Sequence, residues 1–538
     1  MRDTARIAWF TPLRPIVSGI SNYNEELLSV LGQFWPIDVF VDGYSPQPFQ
    51  SFGLLRIFPA REFERRDKRR EYASVVYQFG NSPAHAYMYE LARRRPGVVV
   101  LHDTVLHHLM LSMVLRRGGS ARYRTIMSER YGEAGRLAAE GVLQGRMPRA
   151  LFDYPLSESL IERADHVIVH SAFSRNQILG WLPSAAVSVV PMGIRVPPLI
   201  SRAAAREQLD LSPDAFVIGS ITLVNPYKRL DVVMRALSRL RRRRPVQLLI
   251  AGSVSPHVPL QRWIALYGLE GVVETLGFVD DRQARLIAAA ADSLVNLRFP
   301  TAGETSASLL RIMAAGRPVL VSDAGSFQEL PDDVVAKVPV DALEDETVEA
   351  LLAAFAERGD LSAQLGANGR AFIECEHSVN QMVAGYARVL RHVVGLDVPE
   401  PPLVDVREKI DLLLGDRNRP VDQLIDSATK AMLELGLAGE DRLLHDVAEA
   451  VSDLGISPAK MESDGAPDGR REGKYELDQQ ETKPISDELL EILACPVCKT
   501  AVRLEAGKLV CDTCGRRYRI EDGIPIMLVD EAEMPTKN

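Results

Sequence analysis

Four of the five cysteines fall within residues 495–514, as Cys495-Pro-Val-Cys498 and, twelve residues on, Cys511-Asp-Thr-Cys514. Paired CxxC knuckles at this separation suit a tetrahedral four-thiolate zinc site, closed and structural. Four further groups of residues can do chemistry of another kind. Ser18-Gly19 precedes an amphipathic helix, where a glycine lets backbone approach a ligand and helical amides attract anions. It also reads as an ordinary turn glycine. His102-Asp103 follows an apolar strand, and a His beside an Asp is either an active-site residue or a structural hydrogen-bonded pair. Lys228-Arg229 opens a helix; two cations at the positive end of a helix dipole suit a diphosphate, although an exposed first turn also reads this way. Gly303-Glu304-Thr305-Ser306 places a carboxylate beside helix-start amides. That combination suits a nucleotide sugar, the acid binding hydroxyls and the amides the leaving phosphate; a simple helix-capping acid is the alternative.

These residues need strand ends to hold them. Short apolar runs at 6–10, 37–41, 75–79, 98–101, 167–170 and 187–190 form one series. A second series follows at 216–221, 247–251, 273–276, 293–297 and 319–322. Continuous apolar runs alternating with amphipathic helices predict parallel strands buried on both faces. After Lys228, Leu230, Val233, Met234, Leu237 and Leu240 recur at helical spacing. The strands are too many for one sheet. They predict two doubly wound, Rossmann-like domains, residues 1–197 and 198–395, with ligands beyond the carboxyl ends of the strands. Residues 396–485 change character: a helical stretch over 406–454 leads to a polar stretch over 462–484 that reads as a disordered linker. Residues 486–538 form a small unit of their own.

The 538 residues carry a net charge of −9, which gives no support to wholesale coating of nucleic acid. Basic runs at 65–70, 93–95 and 241–244 read as solvated helix ends or as a contact for anionic lipid phosphate. No secretory signal and no run of about 20 apolar residues is visible. The expected location is therefore the cytoplasm, with peripheral contact at the inner face of a membrane as a variant. The chain lacks the basic, aromatic-rich ribbon face that a nucleic-acid-binding zinc protein requires.

Taken in order, several elements resemble glycosyltransferase family 4, the retaining enzymes of the two-domain GT-B fold. They are Ser18-Gly19-Ile20-Ser21-Asn22-Tyr23, Leu101-His102-Asp103, Ala164 to Ser171, Pro191-Met192-Gly193-Ile194, Lys228-Arg229-Leu230-Asp231, Leu276-Gly277-Phe278-Val279, and Gly303-Glu304-Thr305-Ser306 through Val319. The resemblance spans residues 5–395. It implies a nucleotide diphosphate sugar in an interdomain cleft, retention at the anomeric carbon and no catalytic metal. It gives His102 and Glu304 as catalytic residues, His102 lining the reacting sugar and Glu304 holding the donor sugar. Gly19, Lys228, Arg229, Thr305, Ser306 and Arg311 would bind the donor. Two positions depart from the pattern: Arg311 stands where a second glutamate is usual, and Leu223 stands five residues before Lys228 where an arginine is usual. Residues 486–532 resemble the small zinc-ribbon activator of tRNA methyltransferases, through Leu489 to Leu493, the two knuckles, and Tyr518 to Leu528. This resemblance implies a docking module rather than a catalyst.

The expected activity is transfer of a sugar from a nucleotide diphosphate sugar to a glycan or lipid-linked intermediate of the cell envelope or of a polysaccharide. A protein partner would bind through the ribbon. The competing reading, from another class, is a weakly active transferase-like scaffold whose ribbon recruits a methyltransferase.

Overall fold

A computed structural model of the protein describes residues 6–395, apart from 17, 50–54, 70 and 118, together with residues 495, 500, 502–505, 508–521 and 524–525. The expected helix at 406–454, the linker and Cys498 lie outside the described residues.

The first sheet has seven parallel strands: β1 (Ile7–Phe10), β2 (Ile37–Val41), β3 (Leu55–Pro59), β4 (Ser74–Phe79), β5 (Val98–Leu101), β6 (His166–Val169) and β7 (Val187–Val189), in the order β3-β2-β1-β4-β5-β6-β7. The second has six: β8 (Phe216–Ile221), β9 (Val246–Ala251), β10 (Val273–Gly277), β11 (Ser293–Asn296), β12 (Val319–Ser322) and β13 (Ala336–Val338), in the order β10-β9-β8-β11-β12-β13. Central strands such as β1, β4, β5 and β12 are buried at every position, as continuous apolar runs require. All eleven expected strands are present, within a residue or two at their ends. Two were missed, β3 and β13, and both are edge strands. β3 carries Arg56 and ends on Pro59, and most of it is exposed, so it lacks the apolar signature.

Among the helices of the two domains are α1 (Gly19–Leu31), α2 (His107–Arg117), α3 (Gly119–Leu143), α4 (Ala172–Trp181), α5 (Leu230–Leu240), α6 (Ala307–Met313) and α7 (Val379–Val394). Helix α1 starts because the Ser18 side chain caps the Ser21 amide, and it buries Tyr23, Leu27 and Leu31 against the sheet. Helix α5 buries the whole expected stripe, Leu230, Val233, Met234, Leu237 and Leu240. Helix α7 departs from the sequence-based boundary. It follows the second domain in the chain but packs on the first, where Tyr386 receives a hydrogen bond from the Tyr23 hydroxyl at 2.8 Å and leans on the Trp9 ring. Gly193 and Gly385 permit this return, since a Cβ on either would run into Ser378 or Val190.

Several residues of the basic runs pair with neighbouring acids. Arg66 pairs with Glu62 and Glu71, Arg93 with Glu90, Arg94 with Glu64, Arg95 with Asp67 and Arg243 with Glu349. Among the described residues, no helix is long and apolar enough to cross a membrane.

The C-terminal unit is a separate antiparallel ribbon of β14 (Val502–Glu505), β15 (Lys508–Cys511), β16 (Arg517–Glu521) and β17 (Ile524–Pro525). Its small core holds Val502, Leu509, Val510 and Tyr518.

Candidate active site

The site forms where the carboxyl ends of β5, β8 and β11 meet across the two domains. From the first domain come His102 and Asp103, just past β5. His102 is almost fully buried. Its Nε2 meets Gln78 Oε1 at 2.7 Å, its Nδ1 meets His170 Nε2 at 3.2 Å, and Tyr23 packs edge-on to the ring. Burial first, then the neighbouring imidazoles, hold it well below the ordinary histidine range, so the ring is neutral. Both nitrogens are occupied, and direct contact with a sugar requires giving one of them up. Asp103 is different. Its Oδ2 accepts the Asn81 N–H at 2.7 Å, and burial together with the Glu304 charge pushes its carboxyl up to about 7.

From the second domain come Lys228, Arg298 and Glu304. Lys228 ends a 3₁₀ turn, Pro226–Lys228, rather than opening the helix. Its ammonium has no hydrogen bond or ion-pair partner among the described residues. It is lowered well below the ordinary lysine range by burial and by Arg298, against the pull of Glu304 and Asp103. Glu304 is held at three points: its Oε1 by Arg298, its Oε2 by the Thr301 hydroxyl at 2.7 Å and the Ala302 N–H at 2.8 Å. Burial pushes this carboxyl up, but Arg298, Thr301 and Lys228 outweigh burial and keep it below the usual range. Arg298 also reaches the Ser306 hydroxyl at 2.9 Å and lies over the Phe327 ring. Two carboxylates and two cations therefore share one buried region.

The remaining expected residues divide. Gly19 opens α1 opposite α6, a Cβ on it being 3.9 Å from the Ala307 Cβ, so the two helix starts face each other. The Thr305 hydroxyl is buried without a hydrogen-bond partner among the described residues. Ser306 caps α6 by accepting the Leu309 N–H, and its hydroxyl is further engaged by Arg298. The expectation that Arg229 faces the diphosphate beside Lys228 is corrected by its geometry. Arg229 takes a left-handed backbone, φ 55°, and turns its guanidinium to the buried Glu344. Arg311 pairs with Glu26 of α1 at 2.8 Å, a tie between the two domains in place of the usual glutamate. Leu223, five residues before Lys228, is exposed, and the cation that stands near Lys228 is Arg298 instead.

Sequence reasoning missed Asp103 and Arg298 as site residues. Asp103 was visible only as the neighbour of His102. Arg298 carried one signal, a charged residue ending a buried apolar strand.

The two domains are joined directly here. The Val105 N–H and the Thr104 hydroxyl donate to Ala302 O, each at 3.0 Å, and the Ser174 hydroxyl donates to Gly303 O at 2.6 Å. The first two amides of α4 donate to the Glu329 carboxylate. Gly303, at φ 82°, is required here, since a Cβ would overlap the Thr104 hydroxyl.

In the ribbon, the thiols of Cys495, Cys511 and Cys514 lie within 4.8 Å of one another. The Cys495 sulfur also meets the Tyr518 hydroxyl at 3.2 Å, and the Cys514 N–H donates to the Cys511 sulfur at 3.5 Å. Converging thiols with an amide donor to sulfur fit a thiolate-bound metal.

Residues 212–357, which hold Lys228, Arg298 and Glu304, match the family of glycosyl transferases group 1. The chain is a glycosyltransferase with a group 1 domain. Residues 486–523 match the Trm112p-like protein family. This glycosyltransferase is 31% identical over 149 residues to the MMP alpha-(1->4)-mannosyltransferase of Mycolicibacterium hassiacum, a match covering 27% of the chain and 35% of that protein. Its C-terminal segment is 56% identical over 46 residues to a UPF0434 protein of Burkholderia thailandensis, covering 8% of the chain and 68% of that protein. In fold it is similar to sucrose-phosphate synthase from Thermosynechococcus elongatus, with a TM-score of 0.54 at 17% identity over 73% of this chain and 99% of that one. It is likewise similar to Anabaena Alr3699/HepE in complex with UDP and glucose, with a TM-score of 0.53 at 16% identity over 72% and 100%. Both likenesses establish the two-domain GT-B architecture.

Proposed function

We propose that this glycosyltransferase moves a sugar, with retention, from a nucleoside diphosphate sugar to a glycan or lipid-linked acceptor of a cell-envelope or polysaccharide pathway. The observation that carries the donor half is Lys228. A desolvated ammonium with no partner, facing a cleft, needs an anion, and a diphosphate supplies one. Glu304, fixed by Arg298 and Thr301, takes hydroxyls of the donor sugar. The Thr305 hydroxyl and the paired starts of α1 and α6, at Gly19 and Ala307, stand beside the phosphates, and His102 backs the sugar. Ser306, Arg229 and Arg311 support these residues through Arg298, Glu344 and Glu26. The HepE complexes with UDP and UDP-glucose make UDP-glucose the first donor to try, and the mannosyltransferase relative makes GDP-mannose the second. An alpha linkage, as in that relative's name, is what retention yields from an alpha-configured donor. The expected product of either alpha-configured donor is an alpha-glycoside, read by the one-bond C1–H1 coupling in NMR. A beta product contradicts retention.

In the ribbon, Cys495, Cys511 and Cys514, with Cys498 from the sequence spacing, would hold one structural zinc, and the module would dock a protein partner. Elemental analysis of the full chain should read about one zinc, and Cys511→Ser should lose it. A metal-free wild-type chain overturns this reading.

A further inference from the structure

The loop that carries Glu304 is bonded in two directions. Within its own domain, the Gly303 N–H donates to Thr301 Oγ1 at 3.0 Å, and the Thr301 hydroxyl donates to Glu304 Oε2 at 2.7 Å. Ser326 donates to the Glu304 carbonyl at 2.7 Å. Toward the facing domain, the loop turns the two carbonyls just ahead of Glu304. Ala302 O accepts the Val105 N–H and the Thr104 hydroxyl, and Gly303 O accepts the Ser174 hydroxyl. A peptide unit is planar, so a hold on its carbonyl also orients its N–H. The 302–303 peptide therefore connects Thr104 on one side to Thr301 and the Glu304 carboxylate on the other. The 303–304 peptide, held by Ser174, is the one that carries the Glu304 backbone itself.

The first-domain donors are themselves fixed. Thr104 and Ser174 are buried, at 0% and 2% exposure. The Ser157 hydroxyl donates to the Thr104 carbonyl at 2.6 Å. Ser174 Oγ accepts from the Ser171 hydroxyl at 2.8 Å, which leaves its own proton for Gly303. The approach is close, since a Cβ on Gly303 would stand 1.9 Å from Thr104 Oγ1. A second tie lies beside the first. Ser171 caps the Ser174 amide and leaves the Ala172 and Phe173 amides open, and Glu329, three residues past Ser326, takes both. Separation of the domains would strip these carbonyls and amides of their partners together. The loop would then keep only the bonds within its own domain, and Glu304 would lose the hold on its backbone.

We propose that Thr104 and Ser174 are positioning residues for sugar transfer: by holding the Ala302 and Gly303 carbonyls across the domain boundary they align Glu304, which is set for the donor only while the two domains are shut. This assignment rests on the reading of Glu304 as the residue that takes the donor sugar. Both hydroxyls act through the loop and not on the substrate. Alignment that depends on closure keeps the carboxylate out of place in an open, water-filled cleft, where a donor sugar would be exposed to hydrolysis.

The test uses the full chain with UDP-glucose and GDP-mannose as donors and octyl glucoside as acceptor. Thr104→Val and Ser174→Ala should each lower kcat about tenfold through misplacement of Glu304. UDP and GDP affinities should stay at the wild-type value, because Lys228 is untouched. Thr104→Ser, which keeps the hydroxyl, should restore kcat. In a Glu304→Gln background neither change should cost anything further, since residues that act through one carboxylate do not add once its charge is gone. Losses that multiply with Glu304→Gln, or a kcat equal to wild type in both single variants, overturn the proposal alone. Hydrogen exchange reads the same hold without turnover, and decides where octyl glucoside is not used. With UDP bound, the segment 299–306 should exchange faster in the Thr104→Val/Ser174→Ala double variant than in wild type, and equal exchange overturns the hold. A wild-type chain that binds neither UDP nor GDP sinks the functional reading and this one with it.

Discussion

The two Rossmann-like halves bring opposite electrostatics to one cleft. The first half supplies groups that burial strips of charge: His85 and His170, each brought down to about 4, His102 lower still, and Asp103 raised to about 7. The second half pairs Arg298 with Glu304, which keeps its charge, while burial and Arg298 lower Lys228 well below the ordinary lysine range. Neutral rings and a weakened acid suit hydroxyl ligands; fixed charges suit a diphosphate and the charge that develops when it leaves. The division is one of charge: the first half presents neutral rings to the junction, the second a fixed ion pair.

The largest expected effect comes from Glu304→Gln. The side chain keeps its shape but loses the charge that stands against developing positive charge at the sugar, and turnover should fall on the order of a hundredfold. Because Glu304 also neutralises Arg298, whose side chain is only 6% exposed, the melting temperature should fall as well. Kinetics at 25 °C beside a thermal melt separate the two losses. Activity equal to wild type would erase the contrast between the halves.

A smaller effect sharpens the first half. The Asp103 carboxyl is raised in the folded chain from an ordinary value near 4 to about 7. The fold binds its proton more tightly than the unfolded chain does, so this group's stabilising contribution is complete below about pH 4 and is lost as pH rises through 7. Asp103→Asn should therefore gain melting temperature relative to wild type at pH 8 and gain less at pH 5. A difference that does not change with pH would mean that Asp103 titrates normally and is not enclosed by the cleft.

Much of this was legible in the sequence. Buried parallel strands leave continuous apolar runs, so the central strands of both sheets were readable, as were the loops that carry Lys228 and Glu304. Edge strands β3 and β13 were not: β3 carries a charge and a proline and is mostly exposed, and β13 is three residues long with a lysine at its centre. Partner choice was also hidden. Arg229 and Lys228 are adjacent and alike in charge, yet a left-handed turn at Arg229 sends one to Glu344 and leaves the other to the cleft. His102 and Asp103 are adjacent too, and only the packed structure shows that the histidine is enclosed by Gln78 and His170 while the acid meets the other domain.

The central claim is that the cleft takes a nucleoside diphosphate sugar through Lys228. Calorimetric titration of UDP and GDP into the wild-type chain and Lys228→Ala tests it most directly. Loss of a charge-assisted contact of about 1.5–3 kcal/mol should weaken nucleotide binding roughly ten- to hundredfold, with the melting temperature unchanged or raised because a desolvated, unpaired cation is removed. Nucleotide affinity that is the same in both proteins, or absent from wild type, would contradict the account.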